Sequence, residues 1–231
     1  MDFIKTIGID TKTIIGKLIL VNIIVYVILA LAGVVFFSMY GLYGDALASL
    51  FFLILPGKQY NILYVVHFIF GIPILLIGTD VLIHGFWWEL ITSMFLHANI
   101  VHIGFNMFAL KILGDPLEKL IGGRRVLLTF LLSGIVGNIL TVFSDPHVIS
   151  LGASGGVFGV AAAISFIEYR VFGYTRSLKW LLMVFIISSL PLAGGLPNII
   201  AHFGGLATGA LLGLIYADRL QRRYKIIEVY Y

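Results

Sequence analysis

The most constraining feature of this chain is its series of long apolar segments. The first, Leu18–Met39, contains no charged residue, and a helix needs only about 17–25 mostly apolar residues to cross a bilayer. The segment is too long for the apolar core of a secretion signal, which has roughly 7–15 residues. Further candidates are about Ile91–Leu113, Val126–Phe143, Ala153–Val171, Trp180–Ala193 and Ile199–Ala217. The pattern predicts six transmembrane helices, of which the fifth is short and leads into the Pro191–Pro197 loop.

Composition excludes most other classes of protein. Hydrophobic residues make up 60% of the chain and charged residues 11%, and the mean hydropathy is +1.07. A soluble domain carries about 25% charged residues, so a soluble domain and a disordered chain are both excluded. Because there is no cysteine, a disulfide scaffold and thiolate chemistry are excluded as well. We expect an all-α polytopic membrane protein.

The basic residues are interpreted as markers of topology and not as a surface for nucleic acid. With six spans, all but Lys58 of the 15 Lys and Arg residues fall on one side, and the positive-inside rule makes that side the cytoplasm. The predicted organisation is a cytoplasmic tail at 1–17, a six-helix membrane domain at 18–217 and a second cytoplasmic tail at 218–231.

In this arrangement residues 40–90 form a large, apolar outer loop. Within it, Ala46–Leu55 is too short to cross a membrane and Ile62–Gly78 is borderline. Making the second segment a lone seventh span would leave more basic residues outside. The loop therefore lies in the membrane interface, or residues 46–78 form a hairpin of two short membrane segments, and both arrangements stay open.

Polar side chains inside membrane spans are costly and indicate functional sites by default. The second span carries His97, His102 and Asn106, and the last two share one helix face because they are four residues apart. Donors on one face could bind a cation, relay protons or donate to an anion. The competing interpretation is that they form hydrogen bonds between helices and have no further function.

The fourth span opens with Gly152-Ala-Ser154-Gly155-Gly156. Gly152 and Gly156, and likewise Gly155 and Gly159, have the GxxxG spacing that lets membrane helices approach closely, so packing alone would explain these glycines. The functional interpretation is a nucleophilic Ser154, with backbone N–H groups at the helix start available to an oxyanion.

The sixth span opens with Ala201-His202-Phe203-Gly204-Gly205 and continues with Gly209 and Gly213 at GxxxG spacing. His202 therefore lies in a close helix contact. Its imidazole could form a structural hydrogen bond to a neighbouring backbone, or it could act as a general base.

Topology connects these three groups. Spans two, four and six all run from the outside to the inside, so His102, Asn106, Ser154 and His202 fall at a similar depth in the outer half of the membrane. A serine, a base and extra donors at one depth are the parts of an acyl-transfer site.

These stretches, together with Glu89-Leu-Ile-Thr-Ser-Met-Phe-Leu-His97, resemble the rhomboid family of intramembrane serine proteases. The resemblance covers about Trp87 to Ala217 and implies a rhomboid-like bundle of six helices. It also implies Ser154 as the nucleophile and His202 as its general base, without an acidic third member. The implied oxyanion hole consists of His102, Asn106 and the backbone N–H of Ser154.

The resemblance implies supporting residues as well. His97 would tie the outer loop to the start of the second span, and Phe158 would pack on the ring of His202 and orient it. The other supporting residues are glycines of the motifs around Ser154 and His202, namely Gly152, Gly155, Gly205 and Gly209.

The sequence departs from the family pattern at three places, one of which is the long and unusually apolar outer loop between Ala46 and Gly78. Family members often carry a Trp-Arg pair in the first outer loop, whereas Trp87-Trp88 is followed here by Glu89, which puts the usual membrane anchoring of that loop in doubt. Phe158 lacks the hydroxyl of the tyrosine that some members have. None of these departures removes a catalytic group.

The implied activity is that of a serine endopeptidase that cleaves transmembrane proteins near the outer membrane face. Gly or Pro near the cut would favour a substrate, because its helix must unwind locally. The lipid bilayer is the other expected partner, and we expect no nucleic acid, no cofactor and no metal. His67, His84 and His147 lie in predicted outer loops without the spacing of a metal site. We expect a multi-pass protein of a prokaryotic plasma membrane with both termini in the cytoplasm.

Two other functions compete with this one. A non-catalytic rhomboid-like protein would bind or chaperone membrane clients, but such proteins typically lose the serine or the histidine, and this chain keeps both. A small transporter or proton relay would use His102, His202 and Asn106. Transporters usually show internal symmetry, which this sequence lacks.

Overall fold

The computed structural model describes residues 9–39, 87–144, 150–189 and 197–230. This described part is helical and contains no strand, which confirms the predicted fold class. The long helices are α1 (Ile14–Met39), α2 (Ile100–Ile121), α3 (Gly123–Ser144), α4 (Ser154–Ile167), α5 (Arg176–Ser188) and α6 (Ile199–Tyr230). Shorter segments are the helix Glu89–Thr92, the 3-10 turn Ser93–Phe95 and the π-helical extension of α4 at Glu168–Phe172.

The protein is an integral, multi-pass membrane protein. Five helices of the described part are long and apolar enough to cross a membrane, namely all except α5, with α4 counted together with its π-helical extension as Ser154–Phe172. α5 has 13 residues, and residues 190–196, which include most of the predicted Pro191–Pro197 loop, lie outside the described residues. The outer loop lies outside them too, from residue 40 to residue 86. The count of six spans and the place of this loop therefore stay predictions.

The second span differs from its predicted bounds at both ends. α2 begins at Ile100 and not at Ile91, because the Asn99 side chain accepts a hydrogen bond from the backbone N–H of His102 at 2.8 Å and so caps a new helix start. It continues through Pro116 to Gly122, whose φ of 82° ends it. His97 therefore precedes α2, which corrects its predicted place inside the second span.

Other helices also extend further than the apolar pattern predicts, among them α5 and α6. α5 begins at Arg176 and not at Trp180, and α6 continues to Tyr230, well past the predicted end at Ala217. Both extensions carry charged residues. A formed helix adds one backbone hydrogen bond per residue whether its side chains face lipid or water, so hydropathy marks only the part of a helix that faces lipid.

α4 is the central and most buried helix, and α6 packs against it backbone to backbone. A Cβ atom at Gly205 would collide with the carbonyl oxygen of Gly155, and one at Gly209 with that of Gly159. α3 covers the other side of α4, where the Phe130 ring lies 2.7 Å from the position of a Cβ at Gly156. Glycine at these positions allows the start of α6 to approach the start of α4.

The opposite end of the bundle is its basic end, where α2, α4 and α6 finish and α3 and α5 begin. Two carboxylates there accept hydrogen bonds from the first residues of other helices. Glu118 accepts from the N–H groups of Ile14 and Ile15 at 2.8 and 2.9 Å, and Glu168 accepts from the N–H and hydroxyl of Ser177 at 2.6 and 3.0 Å. The described basic side chains at this end are Lys12, Lys17, Lys119, Arg124, Arg125, Arg170, Arg176, Lys179, Arg219 and Arg222.

Candidate active site

Ser154 and His202 meet where α4 and α6 begin. Ser154 is the first residue of α4, and His202, in the first turn of α6, is 5% exposed. His202 Nε2 lies 2.9 Å from Ser154 Oγ. The close contact at Gly205 and Gly155, less than one turn below, brings the two helix starts within hydrogen-bond reach.

Aromatic packing surrounds the imidazole of His202. Its Nδ1 is buried and has no hydrogen-bond partner among the described residues. The ring centroid lies 4.6 Å from that of Phe158, with the planes tilted by 40°, and Phe158 is itself fully buried and in edge contact with Phe185 at 5.8 Å. Among the described residues, the packing of Phe158 and not a carboxylate therefore orients the His202 ring.

His102 and Asn106 lie one turn apart near the start of α2. The Asn106 amide donates one hydrogen bond to the His102 carbonyl oxygen at 2.9 Å. Since an amide NH₂ has two N–H groups, this bond uses only one of them. The backbone N–H of Ala98 donates to His102 Nδ1 at 3.4 Å. That bond assigns the ring proton to Nε2, so both residues hold an N–H donor.

Gly152 forms a turn over the ring of His102, and its φ is 118°. A Cβ there would lie 2.8 Å from both Cε1 and Nε2 of His102, so only glycine fits. Gly152 precedes α4, which corrects its predicted pairing with Gly156 as a helix-packing motif. Its N–H donates to the Ser93 carbonyl oxygen at 2.9 Å, so the turn joins the segment before Ser154 to the segment before α2.

His97 lies between these same two segments. Its Nε2 accepts a long hydrogen bond of 3.5 Å from the N–H of Ala153, the residue before Ser154. The ring is in edge contact with that of His102, with centroids 5.1 Å apart. His97 thus connects the chain before α2 to the start of α4.

Sequence reasoning missed two asparagines near the site. The Asn138 amide, on α3, donates to the Leu90 carbonyl oxygen at 2.8 Å and to Ser93 Oγ at 3.1 Å. Asn198, just before α6, bonds to Thr141, Ser150 and Ala201. A polar residue within an apolar span and an asparagine before a helix start were the available signals.

Among the described residues no group of three or more His, Cys, Asp or Glu side chains could hold a metal ion. His67, His84 and His147 lie outside the described residues. What the arrangement offers is a hydroxyl beside an imidazole, with N–H donors close by. Those groups suit proton transfer from a nucleophile and stabilisation of an oxyanion.

The chain matches known proteins over the region that contains these residues. The family model of the Rhomboid domain matches residues 84–219. The Bacillus subtilis protein named "Putative rhomboid protease YdcA" is 32% identical over 145 residues, which are 61% of this chain and 73% of that protein. RHOMBOID-like protein 6, mitochondrial, of Arabidopsis thaliana is 41% identical over 132 residues, 55% of this chain and 43% of that protein. Rhomboid protease GluP of Bacillus subtilis is 35% identical over 148 residues, 60% of this chain and only 29% of that longer protein.

Proposed function

This chain belongs to the rhomboid family of intramembrane serine proteases, and on that premise we propose that it cleaves membrane proteins with Ser154 and His202 as a catalytic dyad. The observation that carries the proposal is the 2.9 Å distance between Ser154 Oγ and His202 Nε2. A general base takes a proton from a nucleophile at about this distance.

In the proposed reaction, Ser154 Oγ attacks the carbonyl carbon of the scissile peptide bond while His202 Nε2 takes the hydroxyl proton. The tetrahedral intermediate collapses, the C–N bond breaks, and His202 gives that proton to the leaving amine. Water then attacks the acyl-enzyme with His202 again as the base, and the carboxyl product leaves Ser154. Among the described residues no carboxylate bonds to Nδ1 of this buried ring, which suits a dyad rather than a triad.

We assign the oxyanion hole to the Asn106 amide, His102 Nε2 and the backbone N–H of Ser154. Asn106 has one N–H beyond its bond to His102, and the first N–H groups of a helix have no partner within that helix. The Nε2 edge of His102 faces the Gly152 turn, two residues before Ser154. Gly152, Gly155, Gly205 and Gly209 would hold these elements close together, and His97 and Phe158 would support the oxyanion side and the base.

The dyad lies at the end of the bundle opposite the basic end. By the positive-inside rule the basic end is cytoplasmic, so cleavage would occur near the outer membrane face, with residues 1–17 and 218–231 as cytoplasmic tails around the membrane domain at 18–217. The matched relatives include bacterial, plant and fungal proteins, so a prokaryotic plasma membrane stays a prediction.

We propose transmembrane segments with Gly or Pro near the cut as substrates. A peptide bond within a helix is shielded by its own turns and hydrogen-bonded, so the segment must unwind before Ser154 can reach the carbonyl carbon. Gly lowers the cost of unwinding by about 1 kcal/mol per residue and Pro by about 3.

A fluorophosphonate probe tests the nucleophile. The purified protein should be labelled covalently on Ser154, and Ser154→Ala should not be labelled. Ser165→Ala is the matched control, because Ser165 is a buried serine of the same helix that only donates to the Ala161 carbonyl oxygen at 2.8 Å. Labelling that survives Ser154→Ala would exclude Ser154 as the nucleophile.

A co-expressed single-span membrane protein tests the reaction. Mass spectrometry of the fragments should place the cut in the outer part of its transmembrane segment. Replacing Gly or Pro near that cut by Leu should slow cleavage. A cut near the cytoplasmic face, or equal rates for both substrates, would contradict the proposed depth or the proposed preference, respectively.

A further inference from the structure

Two hydrogen bonds, side by side, join the start of α6 to the segment that leads into α4. One is the contact between His202 and Ser154 at 2.9 Å. The other runs from the Asn198 amide to Ser150 Oγ at 2.7 Å, and each of its partners lies four residues before its counterpart in the dyad. The bond between Asn198 and Ser150 therefore lies beside the dyad, on the side that faces away from the bundle centre.

The Asn198 side chain joins three parts of the chain. Its amide also donates to Thr141 Oγ1 of α3 at 2.9 Å, so both N–H groups are used. Its Oδ1 accepts from the N–H of Ala201 at 3.0 Å, which caps α6. Thr141 and Ser150 are 1% and 5% exposed, and hydrogen bonds in such surroundings are stronger and more directional than in water.

These bonds hold the dyad from one side, while the glycine contact holds it from the other. Toward the bundle centre, Gly205 rests on the backbone of Gly155 and fixes the separation of α4 and α6. Away from the centre, Asn198 fixes the start of α6 to Ser150. With only one of the two attachments, α6 could rotate or tilt about it, and a displacement of about 1 Å can cost roughly 100-fold in rate.

We propose that Asn198 is a positioning residue, which keeps His202 Nε2 in reach of Ser154 Oγ through its bonds to Ser150 and Thr141. The inference rests on the proposed function of the dyad. Asn198 acts through His202 and does not itself contact the reacting atoms.

The rate of fluorophosphonate labelling of Ser154 measures this positioning without a membrane substrate. For Asn198→Ala we expect the limiting labelling rate per folded molecule, measured at saturating probe, to fall roughly tenfold. This is the size of effect expected when one or two hydrogen bonds are lost. The probe concentration at half the limiting rate should stay the same. Asn22→Ala is the matched control and should label at the wild-type rate. Among the described residues, the buried Asn22 amide donates only to the Leu18 carbonyl oxygen of its own helix.

Asn198→Asp separates positioning from helix capping. The carboxylate keeps an oxygen for the N–H of Ala201, but a serine hydroxyl could donate to it, so Asn198→Asp is combined with Ser150→Ala. This double variant keeps the cap without the bond to residue 150 and should remain as slow as Asn198→Ala. When Asn198→Ala is itself combined with Ser150→Ala, the resulting variant should be hardly slower than Asn198→Ala, because both changes remove the same bond.

Three results would overturn the inference: a wild-type limiting rate in Asn198→Ala, recovery of that rate in Asn198→Asp combined with Ser150→Ala, or a loss of labelling that only follows the loss of folded protein. A wild-type protein that the probe does not label at all would overturn the dyad itself, and with it any positioning role. The two failures are therefore distinguishable in one series of measurements.

Discussion

The two ends of the helix bundle place their polar side chains in opposite ways. At the basic end, Glu118 and Glu168 each accept two hydrogen bonds from the start of another helix. At the other end, His202 Nδ1 is buried without a partner among the described residues, and Asn106 keeps an N–H beyond its bond to His102. At the basic end these two carboxylates are hydrogen-bonded within the folded protein. At the Ser154 end, one N–H of Asn106 and Nδ1 of His202 are not used by the bonds described here.

This difference indicates that the polar residues of the basic end stabilise the fold, whereas those of the Ser154 end serve the reaction. A carboxylate that satisfies the first N–H groups of a helix lowers the free energy of the folded state. A donor that has no partner until an oxyanion forms stabilises the transition state alone. Variants at the basic end should therefore change the unfolding midpoint, and variants at the Ser154 end should change the rate.

The largest effect is expected for His202→Ala. Without the base the hydroxyl is a weak nucleophile, and activity should fall by roughly 10⁴-fold or more, to the level of Ser154→Ala. The double variant should be no slower than either single variant, because the two residues act as a unit. Cleavage and probe labelling measure this, and multiplying, independent losses would argue against a dyad.

Asn106→Ala should have the next largest effect. Removal of one oxyanion donor costs about 10²–10³-fold in kcat in a soluble serine protease, and we expect a loss of that order with KM nearly unchanged, since the donor is used only in the transition state. Full progress curves with one membrane-protein substrate would separate the two constants. An unchanged kcat would remove Asn106 from the oxyanion hole.

The sequence contains enough to predict the spans and the convergence of polar residues, because both follow from periodicity and hydropathy. Ser154 and His202 stand beside glycines whose spacing already predicts a close helix contact. The structure agrees in bringing Gly205 against Gly155, although Gly152 works differently, as a turn over His102.

The missed features depend on contacts that are distant in the chain. No local pattern indicates that Glu118 caps a helix that begins at Ile14, or that Asn198 reaches Ser150. The start of α2 at Ile100 was missed for a local reason. The Asn99 cap breaks a segment whose hydropathy is continuous, and hydropathy alone does not register a cap.

Substitutions at the basic end should change the free energy of unfolding and leave the rate of cleavage unchanged. Glu168→Ala leaves the buried N–H and hydroxyl of Ser177 without their acceptor, which should cost about 2 kcal/mol of unfolding free energy. The specific activity of the folded fraction should not change. Asp218→Asn is the matched control at the same end, because its ion pair with Arg170 is half-exposed at 3.5 Å and should be worth less than about 0.5 kcal/mol. A lower rate in folded Glu168→Ala would contradict the view that the basic end contributes to stability and not to catalysis.

The smallest effect, and the sharpest test of the comparison, is expected for Phe158→Leu. Its ring is the packing partner of His202, and losing it should slow labelling about fivefold, or ~1 kcal/mol in the barrier. Phe130→Leu is the matched control, because Phe130 is equally buried but its ring packs against Phe95 and Gly156 and not on His202. Both leucine variants should lose a similar ~1 kcal/mol of unfolding free energy, but only Phe158→Leu should be labelled more slowly. Phe158→Tyr keeps the ring and should be labelled at close to the wild-type rate. Equal rates in the two leucine variants would mean that another contact orients the imidazole.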